Sequence, residues 1–267
     1  MSEGDSIHWL ARRLTPALVG TTLEDVTAPS RRTRASGYEA WLRGTTVTRV
    51  HARGKHLLID CDDGDVVIHS HMGMTGAWRL HDERPREWPR GPKGAWLVLG
   101  GLRGGRDLVQ YAGPTLRVGP RRWVHGLPRL RALGPDICVE GFDAAEALAR
   151  LRADDPTRGV ADALLDQRIL CGIGNLWKVE GCHLVGLDPF RPLGACADEE
   201  LLGLLDALHV RMRVTAARGG QHEHKRIYGT AGRPCPDCGE TIRVRRQGEA
   251  ARPTWWCPGC QPSAAGA

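Results

Sequence analysis

The sequence predicts an α+β protein, and three observations carry that prediction. Short apolar runs with Gly- and Asp-rich turns fill residues 21–125, helical periodicity takes over beyond about residue 140, and the last fifty residues return to loops and short strands around two Cys-x-x-Cys pairs. A β-rich half of sandwich or barrel type is therefore expected to precede a helical half, with the boundary near residues 125–140 and a cysteine-bearing hairpin at the end.

Length and composition agree with that division. At 267 residues the chain can bury two cores of ordinary size, and its hydrophobic content of 41% is that of a globular protein. No apolar run approaches the roughly 20 residues of a membrane span, and the opening lacks a cationic flank with an apolar core, so a cytoplasmic location is expected. Five of the nine cysteines (Cys61, Cys138, Cys171, Cys182, Cys196) stand singly, which fits free thiols in a reducing compartment better than a disulfide framework.

The chain opens MSEGDS. If Met1 is removed, Ser2 carries the free α-amine next to the carboxylate of Glu3, and such an amine has a pKa of about 7.7–8.0. Ile7, Leu10, Ala11, Leu14 and Leu18 recur at helical spacing, with Asp5 or Ser6 as N-cap, a kink or restart at Pro16, and Gly20 as the stop. The amine thus precedes a helix start, where partial positive charge favours a nearby anion.

Six runs then read as strands: TTLEDVTA, TTVTRVHA, KHLLIDC, DVVIHSH, AWLVLGG and DLVQYAG. The Arg-, Pro- and Trp-rich stretch HDERPREWPRGPKG reads as an exposed loop. On a strand, Lys55 reads as a solvated face residue. His69 and His71 alternate onto one face without a third ligand, and Met74, in a Gly-flanked turn, reads as core or as a projecting apolar wedge.

Helical segments follow at FDAAEALARLRA, GVADALLDQRIL, NLWKVEGCHL and DEELLGLLDALHVRMRVTAA, the last with Leu201, Leu204, Leu205, Leu208 and Met212 on one face. Between two of them lies CGIGN, Cys171 to Asn175. Gly172 and Gly174 permit a tight turn, and Asn175 opens the next helix, whose free N–H groups favour a phosphate oxygen; a plain interhelical linker reads equally well.

The most specific local signal is Cys235 and Cys238 followed, after eighteen residues, by Cys257 and Cys260. Four thiolates at that spacing fit a closed, structural zinc site better than disulfides. Between the pairs, TIRVRRQGEAARPTWW reads as a β-hairpin presenting arginines, a side chain suited to phosphate. From Arg211 to Arg252 ten Lys/Arg face four Asp/Glu, an excess equal to the whole chain's net charge of +6, which points to a polyanionic partner unless the run is simply a solvated face.

In that order the acidic opening, GKHLLI, IHSHMGMTG, LLDQRILCGIGNLWKVE, IYGTAGRPCPDCG and WWCPGCQ give a chain that resembles the formamidopyrimidine-DNA glycosylase and endonuclease VIII family, with EGD after position 2 on the endonuclease VIII side. The resemblance implies an N-terminal β-sandwich (residues 1–128), a helix-two-turns-helix domain (129–222), a zinc finger (223–262) holding one structural zinc on Cys235, Cys238, Cys257 and Cys260, and a tail (263–267). It implies a base-excision repair glycosylase for oxidised or otherwise modified bases with associated lyase activity. Its partner would be double-stranded DNA carrying a damaged base or abasic site, held between the two halves, and a monomer suffices.

The same resemblance assigns Ser2 as the nucleophilic amine, Glu3 as the acid/base carboxylate, and Lys55 as a phosphate contact that assists at the sugar. His71, Asn175 and Arg252 become phosphate contacts, Met74 fills the gap left by the extruded nucleotide, and Glu180 supports the catalytic end. Two departures stand out. Ser2 offers a primary amine where most members carry proline; its imine can lose a proton, so slower strand cleavage or base removal by water is expected, with a protein that only binds damage as the alternative. In YAGPTLRVGP, Leu116 and Arg117 stand where relatives carry an arginine and an aromatic filler, which leaves the lesion open, bulky alkyl adducts and crosslinks included. An RNA-binding zinc protein accounts only for the C-terminal portion.

Overall fold

In the computed structural model, which describes residues 2–89 and 93–263, the chain clusters into two compact units: Ile7–Arg131 with Ser2, and the chain from Ala132 onward with Glu3–Ser6. Met1, residues 90–92 of the Arg-rich loop and residues 264–267 of the tail lie outside the described residues.

The first unit is built on eight strands: β1 (Asp25–Thr27), β2 (Val47–Arg53), β3 (His56–Cys61), β4 (Val66–His71), β5 (Ala77–His81), β6 (Ala95–Leu102), β7 (Arg106–Tyr111) and β8 (Thr115–Pro120). They form two antiparallel sheets, ordered β1-β6-β7-β5 and β2-β3-β4-β8. Leu57, Ile59, Ile68 and Val118 of one sheet share a core with Val26, Leu97, Leu99 and Leu108 of the other, the arrangement of a β-sandwich. Helix α1 (Gly4–Leu18) adds Ile7, Ala11, Leu14 and Leu18 to that core. Short helices α2 (Arg31–Arg34), α3 (Tyr38–Leu42), α4 (Arg121–His125) and α5 (Pro128–Arg131) complete the unit.

Three local features differ from the expectation. Helix α1 starts at Gly4, earlier than an Asp5 or Ser6 cap implies, because Ser6 serves the start from inside: its Oγ accepts the Glu3 N–H at 3.0 Å. It also runs through Pro16 without a restart, giving up the N–H that would reach the Arg12 carbonyl, and the Val19 N–H to Thr15 O bond at 3.0 Å closes the last turn beyond the proline. β5 and β8 were not among the six expected strands. β8 is an edge strand bounded by Pro114 and Pro120, a position where proline survives but where it masks the strand signal in the sequence.

The second unit is helical. α6 (Ala144–Arg152), α7 (Val160–Ala163), α8 (Asn175–Leu184) and α9 (Asp198–Arg218) enclose a core in which the Leu201, Leu204, Leu205, Leu208, Met212 face of α9 meets Ala147 and Leu151 of α6 and Leu176 and Trp177 of α8. The helix expected over 159–170 ends at Ala163. Two turns follow, closed by Asp166 N–H to Ala163 O and Ile169 N–H to Asp166 O, both 3.0 Å, because the Asp166 carboxylate takes the Arg168 N–H at 3.0 Å and offers the backbone a turn in place of a helix. Beyond α9, β9 (Arg243–Gln247) and β10 (Arg252–Trp256) form an antiparallel hairpin, and Ile227, Cys235, Ile242 and Cys257 pack with Val179 of α8 in a small separate core.

Candidate functional site

In the second unit the N-terminal peptide is bound to the start of α8. Glu3, 1% exposed, accepts three backbone N–H groups: Oε2 takes those of Gly174 (3.0 Å) and Trp177 (3.3 Å), and Oε1 takes that of Leu176 (2.9 Å). A carboxylate is the natural partner of these donors at a positive helix end. Three of the N–H groups at the helix start that the sequence leaves for a phosphate oxygen are thus taken by a side chain of the same chain. Gly174 is required for this contact, since a Cβ there would stand 2.3 Å from the Glu3 Cδ; Gly172, at φ +110°, takes a conformation open to glycine. Ser2, one peptide bond before Glu3, is half-buried.

Asp5, whose place in the sequence suggests only a helix cap, is buried beside this carboxylate. Its Oδ1 accepts the Gln221 Nε2–H at 2.9 Å. Burial pushes its carboxyl up to about 7, opposed by the Trp177 indole and reinforced by the nearby charge of Glu3.

The rest of α8 organises the following chain. Asn175 is buried and its Nδ2–H donates to the Pro253 carbonyl of β10 at 2.9 Å. Lys178, wholly buried, donates from Nζ to Thr254 Oγ1 at 2.7 Å, and burial holds its amine down to about 8. No motif marked Lys178; its spacing of three from Asn175, which places both on one helix face, was the available signal. Glu180 uses Oε1 to accept the N–H groups of Arg226 (3.0 Å), Ile227 (3.1 Å) and Tyr228 (2.8 Å), so in this structure it anchors the start of the IYG segment. Arg252, at the start of β10, is exposed.

The four cysteines of the two knuckles carry no disulfide and bring their Sγ atoms within 4.8 Å of one another, with Cys235 and Cys260 3.8 Å apart. A tetrahedron with metal–sulfur bonds of ~2.3 Å has edges of about that length, so the donor set fits a metal. From α8, His183 reaches the first knuckle, where its Nε2 lies 2.8 Å from Asp237 Oδ2.

In the first unit, Lys55 lies in the turn between β2 and β3, off the strand where the sequence placed it. His71 closes β4, and burial, followed by the charges of Lys55 and Arg129, holds its imidazole below the usual range. A third histidine joins the expected pair: His56 Nδ1 lies 2.9 Å from His69 Nε2, and its ring centroid is 4.9 Å from that of His71. Burial pushes His56 down to about 3 and His69 to about 4, so both are neutral at physiological pH. Met74 is 75% exposed in the turn after β4, the projecting alternative of its two readings.

Leu116 is the residue the structure removes from its expected place. It sits in β8 at 6% exposure inside the sandwich core, where the alternation of the strand turns it inward, and its neighbour Arg117 faces outward. A side chain buried there is not available to contact DNA.

Residues 1–106 match the model of the formamidopyrimidine-DNA glycosylase N-terminal domain. Over 98% of its length the chain is 38% identical to the Streptomyces coelicolor protein named "Probable endonuclease 8 2", covering 94% of that protein. It is 36% identical to the DNA-(apurinic or apyrimidinic site) lyase Nei2 of Mycolicibacterium smegmatis, covering 98% of this chain and 99% of that one. Among solved structures, the formamidopyrimidine-DNA glycosylase of Lactococcus lactis, non-covalently bound to DNA containing an AP site, superposes with a TM-score of 0.82 at 25% identity, over 98% of this chain and 100% of the other.

Proposed function

Because the chain belongs to the formamidopyrimidine-DNA glycosylase and endonuclease VIII family, on its endonuclease VIII side, we propose that the α-amine of Ser2 and the carboxylate of Glu3 carry out its chemistry. The protein is a DNA glycosylase with AP lyase activity in base-excision repair, acting on DNA that contains a damaged base or an abasic site. The observation that carries the residue assignment is the seat of Glu3. Three N–H donors hold it as a fixed carboxylate one peptide bond from the amine, where it is suited to relay protons.

In this reading the neutral Ser2 amine bonds to C1′ of the extrahelical nucleotide as the C1′–base bond breaks, and the base departs with the bonding pair and takes up a proton. The attached nitrogen then loses one proton, its lone pair forms the C1′=N bond as the C1′–O4′ bond breaks, and O4′ takes up a proton, which opens the sugar ring and leaves a protonated imine. Loss of a C2′ proton expels the 3′ phosphate and cuts the strand. Lys55, His71, Asn175 and Arg252 hold phosphates around that nucleotide, and Met74 enters the gap in the duplex. Leu116 has no part in this, and of the pair on β8 only Arg117 remains to reach the opposite strand.

Zinc is the metal the four thiolates would hold, one ion in a closed site that shapes the hairpin and leaves no position open for substrate. The enzyme would act as a monomer, located with the DNA of the cytoplasm.

The test is borohydride trapping on a duplex with an abasic site, combined with intact-mass measurement of the N-terminus. A trapped adduct on a chain beginning at Ser2 is expected. Base release at the normal rate from a chain that keeps Met1, without any trapped species, would overturn the amine assignment.

A further inference from the structure

Lys178 is 0% exposed, yet among the described residues no carboxylate pairs with it, and Thr254 Oγ1 is its hydrogen-bond partner. A methionine would fill comparable space without burying a charge, so the ammonium needs a reason. Its surroundings supply one. Asn175 and Lys178, on one face of α8, grip consecutive residues of β10: Asn175 Nδ2–H holds the Pro253 carbonyl and Lys178 Nζ–H holds the Thr254 hydroxyl. That hydroxyl donates onward to Gln247 Oε1 at 3.2 Å, and Gln247 Nε2–H donates to the Pro189 carbonyl at 3.0 Å. Donor and acceptor alternate without conflict along the whole chain.

Alongside the cysteine knuckles and the ring contacts of Trp255 with Tyr228 and Trp256 with Phe190, these side-chain bonds pin the register of the hairpin on α8. It has two strands, and four of the five residues of β9 are exposed. A slip of one residue would turn Arg252 to the opposite face and withdraw Thr254 from Lys178. We propose that Lys178 is a positioning residue for DNA binding: through Thr254 it locks the register of β10 on α8, and thereby places Arg252 on its phosphate. The proposal rests on the phosphate role given to Arg252 above. Burial lowers the amine of Lys178, with a contribution from the charge of Arg252, in keeping with two cations near one another.

The experiment measures affinity for a duplex containing a tetrahydrofuran abasic analogue over a salt series, with the full-length zinc-loaded chain. Lys178→Met and Thr254→Val should each weaken binding roughly tenfold, and the slope of log affinity against log salt should fall by about one, as loss of one phosphate contact requires. Thr254→Ser should bind as the unaltered protein does, and Arg252→Ala should add nothing in the Lys178→Met background. The double variant Lys178→Met/Thr254→Val, which removes both partners of the buried Lys178–Thr254 bond, should regain thermal stability relative to either single variant and still bind weakly. Arg252→Ala with a reduced slope but Lys178→Met with the unaltered slope sinks the positioning role alone. An unaltered slope for Arg252→Ala sinks the phosphate reading, and the positioning role with it.

Discussion

The Glu3 carboxylate and the Gly174 amide, 171 residues apart in sequence, meet at 3.0 Å, so the residue beside the proposed nucleophile is also a structural cap for α8. Glu3→Gln replaces an acceptor oxygen with a donor amide that must face at least one of the three N–H groups. Base release should be abolished with DNA affinity spared, and stability should fall by about 1–3 kcal/mol. Single-turnover base release and urea titration measure the two effects separately; normal turnover would remove the assignment of Glu3.

Gly174→Ala approaches the same contact from the other side. Its Cβ would lie 2.3 Å from Glu3 Cδ, so the carboxylate must leave its seat or the helix start must move. The expected result is a loss of base release of at least about tenfold, with an overpacking cost of ~1–3 kcal/mol. Release at the normal rate would show that the seat of Glu3 is dispensable.

Asp5 gives a pH signature. Its folded-state pKa, raised to about 7 by burial, lies above the unfolded value, so the native state binds the proton more tightly. Its contribution to stability is therefore greatest below about pH 4 and is lost as pH rises through 7. Asp5→Asn should flatten this loss, making the variant more stable than the unaltered protein at pH 8 but not at pH 4. Denaturant titrations at the two pH values decide it, and an equal difference at both would refute it.

The sandwich position of Leu116 separates packing from recognition. Leu116→Ala should cost about 2–5 kcal/mol, as a truncation in a core does. Arg117→Ala, at an exposed site, should leave stability within about 0.5 kcal/mol and weaken DNA binding. Thermal melts and binding isotherms on both variants test the pair.

Removal of the metal should release the hairpin before anything else. A two-stranded hairpin is marginal alone, so Cys257→Ser or chelation should abolish duplex binding, while the sandwich strands keep their slow amide exchange. Elemental analysis should find one zinc per chain; binding that survives complete chelation would contradict the structural role.

Much of this was legible from local pattern. The run NLWKVEGCHL coincides with α8, the leucine face of α9 packs as its spacing requires, and the Cys235–Cys260 constellation is readable from residue intervals alone. Such features depend on periods of two or 3.6 residues and on short ligand spacings, which the chain carries without reference to distant segments. The errors also have local causes: prolines concealed β8, and the carboxylate of Asp166 cut short a helical pattern.

Sequence alone thus determined the order of sheet, helices and metal knuckles, and the family resemblance nominated Ser2 and Glu3. Tertiary structure alone decided what those groups touch. It seated Glu3 on the N–H groups expected to await a phosphate, turned Leu116 into the core, and buried Lys178 under Thr254, 76 residues away. The physical reason is that burial and hydrogen-bond partnership are properties of segments brought together by folding, and no interval along the chain encodes which distant donor will meet which acceptor.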